Sequence, residues 1–283
     1  RTTDIATLFL NTDLCIQKYT PAAQKIFQFL DTDLGRPISQ LSTFSHDETL
    51  LRDIRDVLRT SKPQQQTRRF SHDPQSYFSQ IIPYKSHNHQ IQGIVLTFVD
   101  ITHLRSVEDQ VLRFSQQQKE IAAFGQVAIQ ERDLAKVMDD GVRRIVMTLS
   151  VEYAEVLELL PDGQSLLLRA GVGWKEGLVG HAVVSADRDS QAGYTLEVDE
   201  PVIVADLSQE TRFSGPALLI DHQVVSGMSC IIRDQEGKPH GVLGVHTSSR
   251  KAFVEKDVKF LQSMANILAY AIHRKNIETQ LQT

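Results

Sequence analysis

The stretch Pro239-His240-Gly241-Val242-Leu243-Gly244-Val245-His246 sets two imidazoles around a short apolar run, a pairing that could hold a metal or pass a proton. On a strand, residues six apart share a face but stand about 20 Å from one another. On a helix, six residues is out of phase with the three- or four-residue spacing that makes neighbours. One zinc ion therefore cannot take both rings. Cys15 and Cys230 are the only cysteines of the chain, which excludes a disulfide framework and an all-cysteine metal cage. Asp187, Asp189 and Ser190 crowd a short polar segment, but Ala192 and Gly193 interrupt the oxygen ligands that a calcium loop needs. That segment, 187–194, reads as a loop covering a pocket or as a hydrogen-bonded turn. The run from Ser226 to Ser229 lacks the flanking glycines of a nucleophile elbow. The glycines from Gly171 to Gly180 lack the Gly-Lys-Ser/Thr ending of a phosphate cradle. No catalytic residue and no metal site are expected.

The elements that must position these residues follow from punctuation and period. Residues 5–20 read as two short strands about an Asn11-Thr12-Asp13 turn, and Thr20-Pro21 starts a helix as N-cap and first helical residue. A second helix closes before Pro63, and three alternating stretches (65–71, 77–86, 91–102) follow as antiparallel strands. Residues 104–130 carry no proline. Leu104, Val107, Val111, Phe114, Ile121 and Ala128 fall at a and d heptad positions, with Gln118 and Gly125 interrupting the seam. Beyond it come a helix, a hairpin with Pro161-Asp162-Gly163 as its turn, a strand near Val202, a short helical segment near Ala217, and a second hairpin with Gly237 in the turn. His240 is expected in that turn and His246 at the strand end. A last helix from about Val254 carries Val258, Leu261, Met264, Ala265, Leu268 and Ile272 on one face. The fold class is α+β: an antiparallel sheet with flanking helices, a long connecting helix, then a second such unit.

The segments LFLNTDLCIQKYTPAAQKIFQF, LGRPISQL and GIVLTFVDIT resemble a PAS domain over residues 1–102. The segments VEYAEVLELLPDGQSLLLRAGVGW, PVIVADLSQETRF, SGMSCII and GVLGVHTSSRKAFVEKDVKFLQSMANILAYAI resemble a GAF domain. The expected boundaries are 1–102 for the PAS sensor, 103–130 for a signalling helix and 131–275 for GAF, whose first helix could begin near 119. Residues 276–283 are expected to be an outgoing helix toward an output module missing from this chain. The resemblance implies a non-catalytic sensory fragment of a signalling protein with a histidine kinase or diguanylate cyclase as output, in the manner of bacterial two-component systems. It also implies a small-molecule pocket under the 187–194 loop, drawn from Trp174, Asp189, Tyr194, Phe213, Met228 and His246. Leu104, Val107, Val111, Phe114 and Ile121 are the candidate seam of a homodimer.

Family signatures for particular cofactors are missing. Cys15 stands in no flavin motif. Cys230 is followed by Ile231 rather than the histidine of a bilin site, and it has no second thiol nearby to resolve a sulfenic acid. The cyclic-nucleotide signature is absent. No cofactor is expected, with an unidentified small-molecule ligand left open; a haem or bilin chromoprotein, or a GAF-type enzyme, is the alternative. A net charge of −5, from 30 basic and 35 acidic residues, gives no field for nucleic acid. No run approaches the length of a membrane span. The start at Arg1-Thr2-Thr3-Asp4 suggests a piece cut from a longer protein, and two cysteines suit a reducing cytoplasm.

Overall fold

The computed structural model describes residues 5–41, 48–71, 73–86, 90–234 and 236–280. They divide into two compact units, with the boundary between Val111 and Leu112.

The N-terminal unit begins with β1 (Ala6–Asn11), where Ala6, Leu8 and Leu10 are buried in alternation. β2 (Ile16–Tyr19) pairs back on it. Thr20 caps α1 (Pro21–Phe27), accepting the Ala23 N–H at 3.4 Å, and Gln28 ends the helix in the left-handed region. α2 (Glu48–Thr60) buries Leu50, Leu51, Ile54 and Val57 on one face. β3 (Gln64–Arg69), β4 (Ser76–Lys85) and β5 (Ile91–Asp100) complete an antiparallel sheet of order β2-β1-β5-β4-β3. Its core is aromatic: the rings of Phe27 and Phe98 lie 5.0 Å apart, Phe27 and Phe70 5.2 Å, and Phe70 and Phe98 5.7 Å.

α3 (Thr102–Gln130) carries two kinds of surface. Leu104 (56 % exposed), Val107 (41 %), Val111 (61 %) and Phe114 (46 %) are open, whereas Gln117, Phe124 and Ala128 are buried. Ile121 packs against the core of the C-terminal unit, and Ala128 lies within it. Gln117 donates to Asp257 Oδ1 at 2.9 Å, and Arg274 donates to the carbonyls of Ala128 and Ile129, both at 2.8 Å, which satisfies the end of the helix.

α4 (Leu134–Leu149), capped by Asp133, precedes β6 (Tyr153–Leu159), β7 (Ser165–Val172) and β8 (Val183–Ser185). α5 (Gln191–Val198), β9 (Val202–Val204), α6 (Ala217–Asp221), β10 (Ser226–Arg233), β11 (Pro239–Thr247) and α7 (Glu255–Gln280) follow. The sheet order is β8-β7-β6-β11-β10-β9. α4 and α7 cover one face, packing on Ala154, Val156, Met228, Cys230, Leu243 and Val245. α5 packs on β10 and β11 from the other face. A bulge in β7 serves both faces: Val156 pairs with Ala170 but Leu157 with Leu168, so Arg169 is the extra residue. Leu166 and Leu168 then join the α5 side while Ala170 joins the α4–α7 side.

Two expectations change. Residues 191–194 are not loop, because Ser190 caps α5, its Oγ accepting the Gly193 N–H at 2.9 Å. His240 is not in the turn, because the hairpin narrows so tightly about Gly237 (φ +80°) that β11 already starts at Pro239. Burial pulls the His240 imidazole below its ordinary pKa, opposed by Glu158 at 4.0 Å. Among the described residues no helix is long and apolar enough to cross a membrane.

Candidate functional site: a cleft over a buried Glu155–His246 pair

On the α5 side of the C-terminal sheet, β8, the segment leading into α5, and α6 enclose a cleft of about 550 Å³. Leu178, Ala182, Val184, Pro216 and Leu218 form apolar walls, and Asp187, Asp189 and Asp221 lie at the mouth with Lys175. An inner chamber of about 20 Å³ shares Val184, Ser190, Pro216 and Leu218 with the cleft and is floored by Glu155, Ser229, Val242 and His246.

The floor is polar although it is buried. Glu155 is 4 % exposed and His246 2 % exposed, and His246 Nε2 meets Glu155 Oε1 at 2.8 Å. Strand register explains how the two meet. Glu155 on β6 lies opposite Gly244 on β11, and His246 follows two residues on, along the same face. A Cβ at Gly244 would stand 2.6 Å from Glu155 Oε1, so a glycine there gives the carboxylate its place. His246 in turn lies opposite Gly227 on β10, where a Cβ would come within 2.4 Å of His246 Nδ1. Glu155 Oε2 and His246 Nδ1 are both buried without a hydrogen-bond partner.

The rest of the floor is satisfied from α5. Gln191 Nε2 donates to Ser229 Oγ at 3.1 Å, Thr195 Oγ1 donates to the Gln191 carbonyl at 2.8 Å, and the Thr195 and Ser229 hydroxyls meet at 2.8 Å. Since the Thr195 proton is committed to that carbonyl, Ser229 donates to Thr195. His222, at the wall, is saturated: Nδ1 donates to the Leu218 carbonyl at 2.7 Å and Nε2 accepts the Lys175 N–H at 3.1 Å. That network assigns its tautomer.

The six pocket residues expected from the sequence are distributed over several places. Asp189 lines the cleft mouth and His246 the inner floor. Trp174 stands behind His246, ring to ring at 6.0 Å, its indole donating to the Ala154 carbonyl at 3.0 Å. Tyr194 and Phe213 pack together at 5.4 Å in a small cluster with Val202 and Val204, with Arg212 over both rings. Met228 belongs to the α4–α7 core, on the face opposite the cleft, because side chains alternate along β10 and Ser229 takes the cleft side. Glu155, Ser229, Gln191 and Leu218 are the residues that sequence reasoning missed. The available signal is Glu155 itself, a carboxylate inside the otherwise apolar run Ala154-Glu155-Val156-Leu157 of β6.

Cys230 faces the α4–α7 core, and burial pushes its thiol up to about 12. Among the described residues no group of three or more His, Cys, Asp or Glu side chains could hold a metal ion. The Glu155–His246 pair orients an imidazole, but His246 Nδ1 meets no hydroxyl or thiol that it could activate. What the cleft offers is recognition: an apolar throat ending on buried hydrogen-bonding atoms.

Comparison with known proteins agrees with this architecture. The family model described as PAS domain matches residues 1–102, and the one described as GAF domain matches residues 133–272. The chain thus belongs to the proteins that carry a PAS domain followed by a GAF domain, and the cleft lies in the GAF domain. An uncharacterized 104.1 kDa protein of Rhodobacter capsulatus is 32 % identical over 106 residues, which is 37 % of this chain and 11 % of that protein. Solved structures similar to this chain include the GAF domains of phosphoenolpyruvate-protein phosphotransferases from Coxiella burnetii (TM-score 0.54, 18 % identity, 59 % of this chain and 98 % of that one) and Acinetobacter (TM-score 0.51, 20 % identity, 58 % and 97 %). At such identities the likeness is one of fold.

Proposed function

We propose that this PAS–GAF pair is a non-catalytic sensory fragment of a cytoplasmic signal-transduction protein that takes up a small molecule in the GAF cleft and passes the change through α3 and α7 to an output domain, such as a histidine kinase or diguanylate cyclase. The observation that carries the reading is the buried pair at the cleft floor, with one carboxylate oxygen and one ring nitrogen unsatisfied. Buried polar atoms without partners cost about 1–3 kcal/mol each. A ligand that supplies the missing partners recovers that cost only when bound, which couples occupancy to the stability of the domain. A thermal-shift screen of small molecules tests it. A binder should raise the melting temperature of the wild type and leave Leu218→Trp, whose new ring fills the throat, unmoved. A binder that stabilises both equally lies elsewhere.

The relay rests on α3. Leu104, Val107, Val111 and Phe114 keep heptad spacing and are all exposed in the single chain, so a second copy of the same helix is the partner that buries them. Ile121 stands outside this seam, since it packs on the GAF domain. Light scattering on the double variant Val111→Asp/Phe114→Asp should show a monomer with both domains folded. A variant that stays dimeric moves the contact away from α3.

A further inference from the structure

Resting on the reading that the cleft is a ligand site, the chemistry of its floor defines what it takes. Its unsatisfied atoms are acceptors. Ser229 Oγ is satisfied, donating to Thr195 and accepting from Gln191 Nε2, and has one lone pair left. If Nε2 carries the proton of the 2.8 Å contact with Glu155 Oε1, His246 Nδ1 is also a lone pair, and Glu155 Oε2 is an acceptor whenever the carboxylate is ionised. The floor therefore asks for donors. The inner chamber, about 20 Å³, has room for a single water-sized group. A primary ammonium is that size and has three N–H donors and no acceptor. A quaternary ammonium is too large for the chamber and has no N–H. A hydroxyl fits but brings one donor and no charge. Beyond the chamber the walls are apolar at Leu178, Val184, Pro216 and Leu218, which suits a short hydrocarbon body. At the mouth the carboxylates of Asp187, Asp189 and Asp221 form no ion pair among the described residues, and Lys175 is the one cation that lines the cleft beside them. Their balance favours a cation entering.

We propose that the GAF cleft binds a small primary amine, its ammonium seated in the inner chamber as a donor to Glu155 Oε2 and its hydrocarbon body lying between Val184 and Leu218. The ammonium completes the buried carboxylate, which His246 holds from the other oxygen. Charge pairing at a buried carboxylate makes this the contact that sets affinity.

The test uses the whole chain, isotope-labelled, with n-butylamine as probe and n-butanol and N,N,N-trimethylbutylammonium as its neutral and quaternary counterparts. Backbone amide resonances of Val184, Ser229 and His246 report on the floor. Butylamine should shift them and bind about tenfold or more tightly than either counterpart, since a hydrogen bond to a charged group is at stake. Glu155→Gln, which keeps the shape and removes the charge, should weaken butylamine by about tenfold and leave butanol unchanged. Equal binding of amine and alcohol to the wild type overturns the proposal without need of any variant, as does butylamine binding that survives Glu155→Gln. If neutral or anionic fragments shift the floor resonances and butylamine does not, the amine is wrong and the cleft stands as a ligand site. If no fragment of any charge moves them, the cleft reading fails with it.

Discussion

The two units are built on the same plan, an antiparallel sheet with helices packed on it, yet they treat buried polar groups in opposite ways. In the PAS domain the space over the sheet is filled by rings, with Phe27, Phe70 and Phe98 in mutual contact, and its buried charges are answered from within. Asp33 accepts from Arg36 at 2.7 Å and from the Leu30 N–H at 2.9 Å, and Arg68 reaches Asp53 and Ser79. In the GAF domain one face of the sheet is as apolar as any core, but the other keeps Glu155, Ser229 and His246 at the base of a cleft. Among the described residues the buried polar side-chain atoms without partners, Glu155 Oε2, His246 Nδ1 and Arg274 Nε, all belong to the C-terminal unit. Burying a polar group is unfavourable unless it is paired. Among the described residues the PAS domain leaves no buried polar side-chain atom unpaired, whereas the GAF domain leaves two on the Glu155–His246 pair that lines the inner chamber.

The largest expected effect tests the filled core. Phe98→Ala should remove about 3–5 kcal/mol from the PAS domain, because a ring in contact with two others leaves a cavity that the sheet cannot close. Urea unfolding followed by probes in each domain should show the N-terminal transition moved to lower denaturant and the C-terminal one in place. If both move together, the two domains do not unfold separately and the comparison loses its basis.

The next breaks the polar floor. Glu155→Leu alone should cost the GAF domain about 1–3 kcal/mol by stranding His246 Nε2, whereas Glu155→Leu/His246→Leu should return it to near the wild-type stability or above, with the cleft now inert. Additive losses in the double variant would mean that the pair is a structural support and not a site held at a cost. Gly244→Ala belongs to the same group: its methyl, 2.6 Å from Glu155 Oε1, should displace the carboxylate for about 1–3 kcal/mol and weaken any ligand that weakens with Glu155→Gln.

Two smaller effects concern titration. The Cys230 thiol, held near 12 by burial, keeps its proton in the folded state after the unfolded chain has lost its own near 9, so stability should fall as pH rises from about 9 to about 12. Cys230→Ser or Cys230→Ala should flatten that slope, and thiol reagents at neutral pH should label Cys230 only on unfolding. A fast-reacting Cys230 in the folded protein contradicts the packing described. On the acid side, Arg212 and neighbouring backbone N–H groups hold Glu210 down to about 2, against an opposing effect of burial. Its contribution is present above about 4.5 and is lost as pH falls toward 2; Glu210→Gln should remove that part of the acid slope and little else.

Much of this architecture is legible in local pattern. Alternation along Ala6–Asn11, the Thr20-Pro21 helix start and the Gly163 and Gly237 turns each rest on interactions within a few residues, and each stands where the pattern puts it. The site is less legible. Met228 reads as a cleft residue because it is a large apolar side chain near the right loops, while the alternation of β10 pairs it with Cys230 and gives the cleft side to Ser229. Tyr194 reads as part of a loop, but Ser190 starts a helix before it and turns it toward Phe213. Glu155 stands out as a carboxylate inside an apolar run, but that run does not say what it meets, and only the fold shows its pairing with His246.

What the sequence by itself determined is the order and kind of the elements and the two domain types they compose, since periodicity, caps and turn residues act over a few positions at a time. What only the tertiary structure decided is which face of the second sheet is closed by α4 and α7 and which carries the cleft, and hence that Glu155 and His246, 91 residues apart, meet at the floor of that cleft. Both faces of those strands are buried, so composition does not distinguish them. The choice is made by long-range register, with Glu155 opposite Gly244 and His246 opposite Gly227, and register is a property of paired strands that no single strand contains.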